Sequence, residues 1–197
     1  MINLYVKEFE GVWFGVAFSG EEIFATAFAE SEKKALQSIL RSIPFNVPFQ
    51  ELETPSAFAE RVVAVLGDIY NGRDVSAKFS LATKHLSQYT RKIIEATLSI
   101  PTGYATSYGA IAKAVGGSPR AVGNVMAKNP FAPLVPCHRV VSSDYGLGGY
   151  GGGLDVKIQL LMRERRGYKS KKEISLNGEK LLLFPVEFVL DKVKENT

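Results

Sequence analysis

"SYGAIAKAVGGSPRAVGNVMAKNPFAPLVPCHRVV" occupies residues 107–141. Two short runs in it, "SYGAIAKAV" and "PRAVGNVMAKN", have helical periodicity and are separated by "GGSP". The "GGSP" between them reads as a turn. Two short helices joined by a glycine-containing turn are the sequence image of a helix-turn-helix, here at about 107–128. Unrelated proteins also contain such pairs, so the reading depends on what surrounds it. Immediately after it comes a proline-stiffened segment, 129–141, holding Cys137, the only cysteine in 197 residues, beside one of two histidines.

Upstream, "LATKHLSQYTRKIIEATLSI" places Leu86, Tyr89, Ile93, Ile94 and Leu98 on one helical face, with His85 on the same helix, until "IPTG" breaks it. Downstream, a glycine run, "YGLGGYGGGLD", precedes a helix from about Leu154 to Arg166. The run lacks the GxxxxGK[ST] spacing and the preceding strand of a phosphate loop. Asn177-Gly178 within "ISLNGEKLLLF" suits a tight hairpin, and "VEFVLDKVKE" reads as a last short helix. The first part is different in character. "INLYVKEF", "GVWFGVAFSG" and "EIFATAFA" form a three-strand meander. A helix follows behind Ser31, then a proline-punctuated connector, then a helix capped by Thr54 with Pro55 at its first position. The expectation is an α+β protein. Residues 1–78 form a strand-and-helix domain with a small antiparallel sheet and a structural or regulatory role. Residues 79–197 form a mostly helical domain with the helix-turn-helix and a C-terminal extension, 167–197.

Hydrophobic content of 46% and charged content of 22% are those of a globular protein. No apolar run approaches the roughly 18 residues of a spanning helix, and the N-terminus lacks a secretory pattern, so no membrane partner is expected. One cysteine makes neither an intrachain disulfide nor a cysteine-based zinc site, and no metal or cofactor is expected. A reducing compartment is the consequence: cytoplasmic, or nuclear in a eukaryote. The net charge of +4 is unevenly spread. Residues 1–78 carry 7 Lys/Arg against 11 Asp/Glu, whereas 79–197 carry 17 against 9, which points to a polyanion partner for the second half.

A thiol with a pKa of about 8.5 needs help to react near neutrality. His138 is nearest, and Arg139 adds positive potential. On an extended segment adjacent side chains point to opposite sides, so a bridging water is easier to picture than direct contact. On pattern alone a structural thiol and a nucleophile both stand, and the setting favours the nucleophile.

"PCHRVV" in this surrounding resembles the active-site signature of the O6-alkylguanine-DNA alkyltransferases, which move an alkyl group from guanine O6 onto their own cysteine. "IPTGYATSYGAIAKAVG", "SPRAVGNVMAKNP" and "YGLGGYGGGLDVKIQLLMRE" resemble the other family segments in order and spacing, covering about residues 98–166. The resemblance implies that Cys137 is the acceptor, activated through a water by His138 and then Glu164, with Asn129 tying the helix-turn-helix to the active-site turn. It implies that Tyr108 helps rotate the nucleotide and donates a proton as guanine leaves, and that Arg120 fills the vacated place in the stack. Ser107, Ala121 and Gly123 fall on the DNA side, the small residues letting this helix lie in the minor groove. Backbone groups of Cys137 and Val140, the ring of Tyr150, and Gly151, Gly152 and Lys157 would line the guanine pocket. The residue after this tyrosine is often serine in relatives, and Gly151 departs from that, leaving a backbone N–H to replace the hydroxyl. The implied partner is double-stranded DNA containing O6-alkylguanine, engaged with little sequence specificity by a monomer. Three alternatives come from other classes: a noncatalytic protein that flips and flags the lesion, a sequence-specific helix-turn-helix regulator, and a cysteine hydrolase, which lacks a second well-placed histidine.

Overall fold

The structure is a computed structural model describing residues 1–195; the last two positions of the expected extension, 196 and 197, lie outside the described residues. Two compact units result: one of Met1–Tyr70, Asp74–His85 and Asn129–Leu134, the other of Asn71–Arg73, Leu86–Lys128 and Val135 onward. This differs from a division at 78/79, because the chain leaves the second unit after Lys128 and rejoins it at Val135.

In the first unit β1 (Ile2–Phe9), β2 (Val12–Ser19) and β3 (Glu22–Ala29) form the expected antiparallel meander. Its inward-facing Ile2, Leu4, Ala17, Ala25 and Ala27 bury Ile39 of α1 (Glu32–Ser42), whose N-cap is Ser31. Leu40 of the same helix is exposed. The proline-rich connector contains an unforeseen strand, β4 (Phe49–Glu51), parallel to β1. The helix α2 (Ala57–Tyr70) starts later than Thr54 and Pro55 indicate, and Ser56 Oγ accepts from Ala59 N–H at 3.1 Å. A two-residue strand, β5 (Ser80–Leu81), pairs parallel to β3, so the sheet β4-β1-β2-β3-β5 is mixed and not purely antiparallel. His85 lies in this unit, exposed and ahead of the next helix, not on it.

The second unit starts with α3 (Gln88–Leu98), capped by Ser87. Then come β6 (Tyr104–Ser107), α4 (Tyr108–Val115) and α5 (Pro119–Ala127). The helix-turn-helix is therefore present, each helix opened by a serine whose Oγ takes a first-turn N–H: Ser107 from Ala110 and Ser118 from Ala121. A single 3-10 turn at Cys137–Arg139 leads into β7 (Val140–Val141), α6 (Leu154–Arg163), β8 (Lys172–Leu176), β9 (Glu179–Pro185) and α7 (Val186–Glu195).

This unit is less purely helical than its sequence indicates, since it holds a four-stranded sheet, β7-β6-β9-β8. The C-terminal residues are also no appendage. Phe184, Val186, Val189 and Leu190 form one cluster with Ala105, Val141 and Leu161, and Thr106 Oγ1 donates to the Leu182 carbonyl at 2.7 Å. The hairpin β8–β9 turns at Asn177 (φ 52°) and Gly178 (φ 88°), the left-handed pair that an Asn-Gly turn supplies. Among the described residues, no helix is long and apolar enough to cross a membrane.

Between α4 and α5, Gly116 (φ 89°) and Gly117 (φ 96°) take conformations that L side chains rarely adopt. A Cβ on Gly116 would meet nothing within 4 Å, whereas one on Gly117 would strike the Tyr89 side chain. Both Gly→Ala variants strain the backbone, but only Gly117→Ala overpacks the turn, at a further cost of about 1–3 kcal/mol. Gly117→Ala is therefore expected to melt at a lower temperature than Gly116→Ala in parallel thermal denaturation; equal melting would contradict this packing.

Candidate active site

Cys137 opens the 3-10 turn, held by Cys137 N–H to the Val135 carbonyl (2.8 Å) and Arg139 N–H to the Pro136 carbonyl (2.9 Å). The segment is a tight turn, not the extended stretch that its prolines suggest. With three residues per turn, successive side chains fan out by about 120° instead of alternating. Cys137 is 7% exposed and His138 is fully buried.

Behind the turn is a buried ionic network. Glu164, the C-cap of α6, accepts from His138 Nε2 at 2.7 Å. It also accepts a fork from Arg139, whose Nε lies 2.9 Å from Oε2 and whose Nη2 lies 2.9 Å from Oε1. The remaining Arg139 donors reach the Ile100 carbonyl (2.6 Å) and Thr102 Oγ1 (3.1 Å). Burial by itself would raise the Glu164 pKa, but the hydrogen bond from His138 and the charge and hydrogen bonds of Arg139 outweigh it and pull the carboxyl down to about 2. Burial also lowers the pKa of His138, against the pull of Glu164, and so favours the neutral ring. A carboxylate only accepts, so Nε2 carries the imidazole proton and Nδ1 carries the lone pair. Nδ1 is buried, and no hydrogen-bond partner for it exists among the described residues.

On the thiol side, Tyr150 hydrogen-bonds Cys137; burial first, and the thiol second, push the phenol's pKa well above 10. Lys157, fully buried on α6, donates to the carbonyls of Val140 (2.7 Å), Leu147 (2.5 Å) and Gly149 (3.0 Å). Burial lowers its pKa to about 8, opposed by attraction to Cys137. Its Nζ stands 5.8 Å from the Tyr108 ring centre and 6.0 Å from that of Tyr150. Tyr108 begins α4 and donates its hydroxyl to the Gly149 carbonyl at 3.3 Å; burial raises its pKa, so the phenol stays protonated. A Cβ on Gly148 would come within 2.7 Å of that ring, whereas Gly151 has nothing within 4 Å and would accommodate a side chain. A Cβ on Gly152 would press on the Tyr150 ring at 3.0 Å.

Cys137, His138, Glu164, Tyr108, Tyr150, Lys157 and Val140 thus belong to one unit and are linked by direct contacts. Arg120 is exposed in the first turn of α5, and Ala121 and Gly123 lie just beyond it, half-buried. Two more of the implied residues make local hydrogen bonds. Ser107 is buried, and its hydroxyl serves as the α4 cap. Asn129 belongs to the first unit, where its Oδ1 accepts from Phe131 N–H at 3.0 Å, while the α5 C-cap is Lys128. Arg139, expected to add positive potential beside the thiol, has its guanidinium held by Glu164. A charged residue inside the apolar run "PCHRVV" is itself the signal, because burying a guanidinium requires a carboxylate partner. Among the described residues, no three His, Cys, Asp or Glu side chains gather as a metal site would require.

The depressed Glu164 pKa fixes a pH dependence. A carboxyl whose folded pKa lies below its ordinary 4.5 adds stability above that value and loses it as pH falls toward about 2. Glu164→Gln removes this contribution and leaves Arg139 buried without its partner, at about 3–5 kcal/mol. Melting temperature against pH is expected to be lower near neutrality and flatter across the acid range than for the unmodified protein. A variant that melts normally at pH 7 would refute the network's role.

Comparison with known proteins agrees with this arrangement. Residues 88–166 match the family model described as the DNA-binding domain of 6-O-methylguanine DNA methyltransferase. A methylated-DNA–protein-cysteine methyltransferase of Pyrobaculum aerophilum is 55% identical over 67 residues, a match spanning 34% of this chain and 45% of that protein's length. The protein of the same name from Thermococcus kodakarensis is 35% identical over 160 residues, covering 76% of this chain and 87% of the relative. The crystal structure of Mycobacterium tuberculosis OGT in complex with DNA superposes with a TM-score of 0.66 at 27% identity, over 82% of this chain and 92% of that one. With so much of the Thermococcus protein matched at that identity, and with the cysteine turn, its His-Glu network and the helix-turn-helix in one unit, this chain belongs to the methylated-DNA–protein-cysteine methyltransferase family.

Proposed function

We propose that this protein repairs alkylated DNA directly, moving an alkyl group from O6 of guanine to the sulfur of Cys137, once per molecule. The observation that carries the reading is the pairing of a lone cysteine with the neighbouring His138, whose Nε2 is fixed on Glu164 and whose Nδ1 is left as a buried base. A water between the Cys137 thiol and Nδ1 lets the proton pass to the imidazole, and the charge so created is balanced by the Glu164 carboxylate. The thiolate attacks the alkyl carbon; the C–S bond forms as the C–O6 bond breaks, and the electron pair leaves with guanine. Tyr108, kept protonated by burial, supplies the proton that neutralises the departing base. A thioether is not reversed by ordinary reduction, so the site is used up.

A base stacked in a duplex presents no path from O6 to a buried thiol, so the nucleotide has to be turned out. In this reading Arg120, exposed at the start of α5, fills the gap, and the small Ala121 and Gly123 beside it let the helix lie in a minor groove. The helix presents no row of Asn, Gln and Arg for reading base edges, which suits a lesion searcher with little sequence preference. Affinity for any duplex comes from the excess positive charge of the second half. The protein works as a monomer, without cofactor, in the cytoplasm or, in a eukaryote, the nucleus.

The test is intact-protein mass spectrometry after incubation with a duplex bearing O6-methylguanine. The expected result is a gain of one methyl group, mapped to Cys137 by peptide analysis, with no gain in Cys137→Ser. Binding of the lesion without any mass change would favour the flag-and-bind alternative and overturn this reading.

A further inference from the structure

Six of the ten residues 163–172, "RERRGYKSKK", are Lys or Arg, and the single acid among them, Glu164, is buried against His138 and Arg139. This segment joins α6 to β8 and lies largely beyond residue 166, where the family match ends. It is nevertheless fixed. The backbone N–H groups of Arg166 and Gly167 both donate to Glu187 Oε1, at 3.0 and 2.6 Å. Tyr168 stacks on Tyr104 with ring centres 5.0 Å apart, Lys172 Nζ sits 3.9 Å from the Tyr104 ring centre, and Lys171 Nζ sits 5.4 Å from that of Tyr145. Arg165, Lys169, Lys171 and Lys172 are all exposed, and none forms an ion pair among the described residues. The nearest acid in sequence outside the segment, Glu173, is held by Lys180 at 3.0 Å. Cations held this close repel one another, and a polyanion relieves that repulsion.

The anchoring residues also place the cluster. Tyr104 begins β6, whose other end is Ser107, the cap of the first helix of the helix-turn-helix. At about 3.3 Å per strand residue, the anchor stands roughly 10 Å from that helix start. A duplex turn is about 34 Å long with a phosphate charge every 1.7 Å or so of axis, so the separation of the anchor from the start of the helix-turn-helix is well under one duplex turn.

We propose that the 163–172 loop is a second phosphate-binding strip, which grips the DNA backbone beside the helix-turn-helix and supplies part of the salt-dependent affinity. It rests on the proposed function in one respect, that the partner is duplex DNA. The test uses the triple variant Arg165→Ala/Lys169→Ala/Lys171→Ala, which spares Lys172 on Tyr104 and Arg166 with its backbone contacts. Binding to a lesion-free duplex is measured across a salt series, and transfer to Cys137 from a free O6-alkylguanine base is measured alongside. Each lost phosphate contact flattens the slope of log K against log salt by about 0.9, so a slope shallower by roughly 2–3 is expected, with weaker binding and unchanged transfer from the free base. An unchanged slope would overturn the proposal, and so would loss of free-base transfer in the variant, which would make the loop a support of the pocket. Unmodified protein that binds duplex with the steep slope yet alkylates neither from DNA nor from the free base would sink the alkyl-transfer reading and leave the strip standing.

Discussion

The Glu164 carboxylate is the charge around which the second unit is organised. It is almost entirely buried, and it tolerates burial only because Arg139 and His138 surround it with donors. Those partners directly succeed Cys137 in sequence, so the same contacts that satisfy the carboxylate hold the cysteine turn in place. Arg139 extends the hold to Ile100 and Thr102, tying the turn to the stretch between α3 and β6. The chemistry and the fold therefore share one interaction: neutralising Glu164 loosens the turn as well as altering the imidazole.

Helix α6 delivers a second buried charge to the other side of the same turn. Lys157 and Glu164 are seven residues apart, close to two helical turns, so they lie on one face. Lys157 gathers three carbonyls from the glycine-rich loop and from Val140, which keeps Tyr108 and Tyr150 near the thiol. Under the proposed chemistry the two tyrosines have separate tasks: Tyr150 touches the acceptor sulfur, and Tyr108 holds a proton for the leaving base. The C-terminal hairpin and α7 support this arrangement from behind by covering β6, the strand that leads into the helix-turn-helix.

Legibility in the sequence depends on how local each cause is. The helix-turn-helix is readable because the helical periods and the paired glycines between them act within a few residues, and the same is true of the Asn177-Gly178 hairpin. The cysteine, its histidine neighbour and Glu164 are readable through family spacing. The short strands β4, β5 and β6 are not, since two to four residues carry no period and become strands only by pairing with distant partners. The role of the C-terminal residues in the core is hidden for the same reason, because Val186 and Leu190 meet Ala105 only after the chain has closed on itself. The pairing of Arg139 with Glu164 is hidden as well, because the two are 25 residues apart in sequence.

At the centre of the chemistry, Glu164 sets His138 as a neutral base with its lone pair on Nδ1. With only two histidines in the chain and His85 exposed, the imidazole 15N signals are readily assigned. Nitrogen-15 NMR of the uniformly labelled protein across pH 5–8, with His85→Gln to isolate His138, tests it directly. The expected spectrum has a protonated Nε2 and an unprotonated Nδ1 near neutrality, with no titration at the ordinary histidine pKa of about 6.5. A proton on Nδ1 at pH 7, or a fully charged imidazolium, would contradict it.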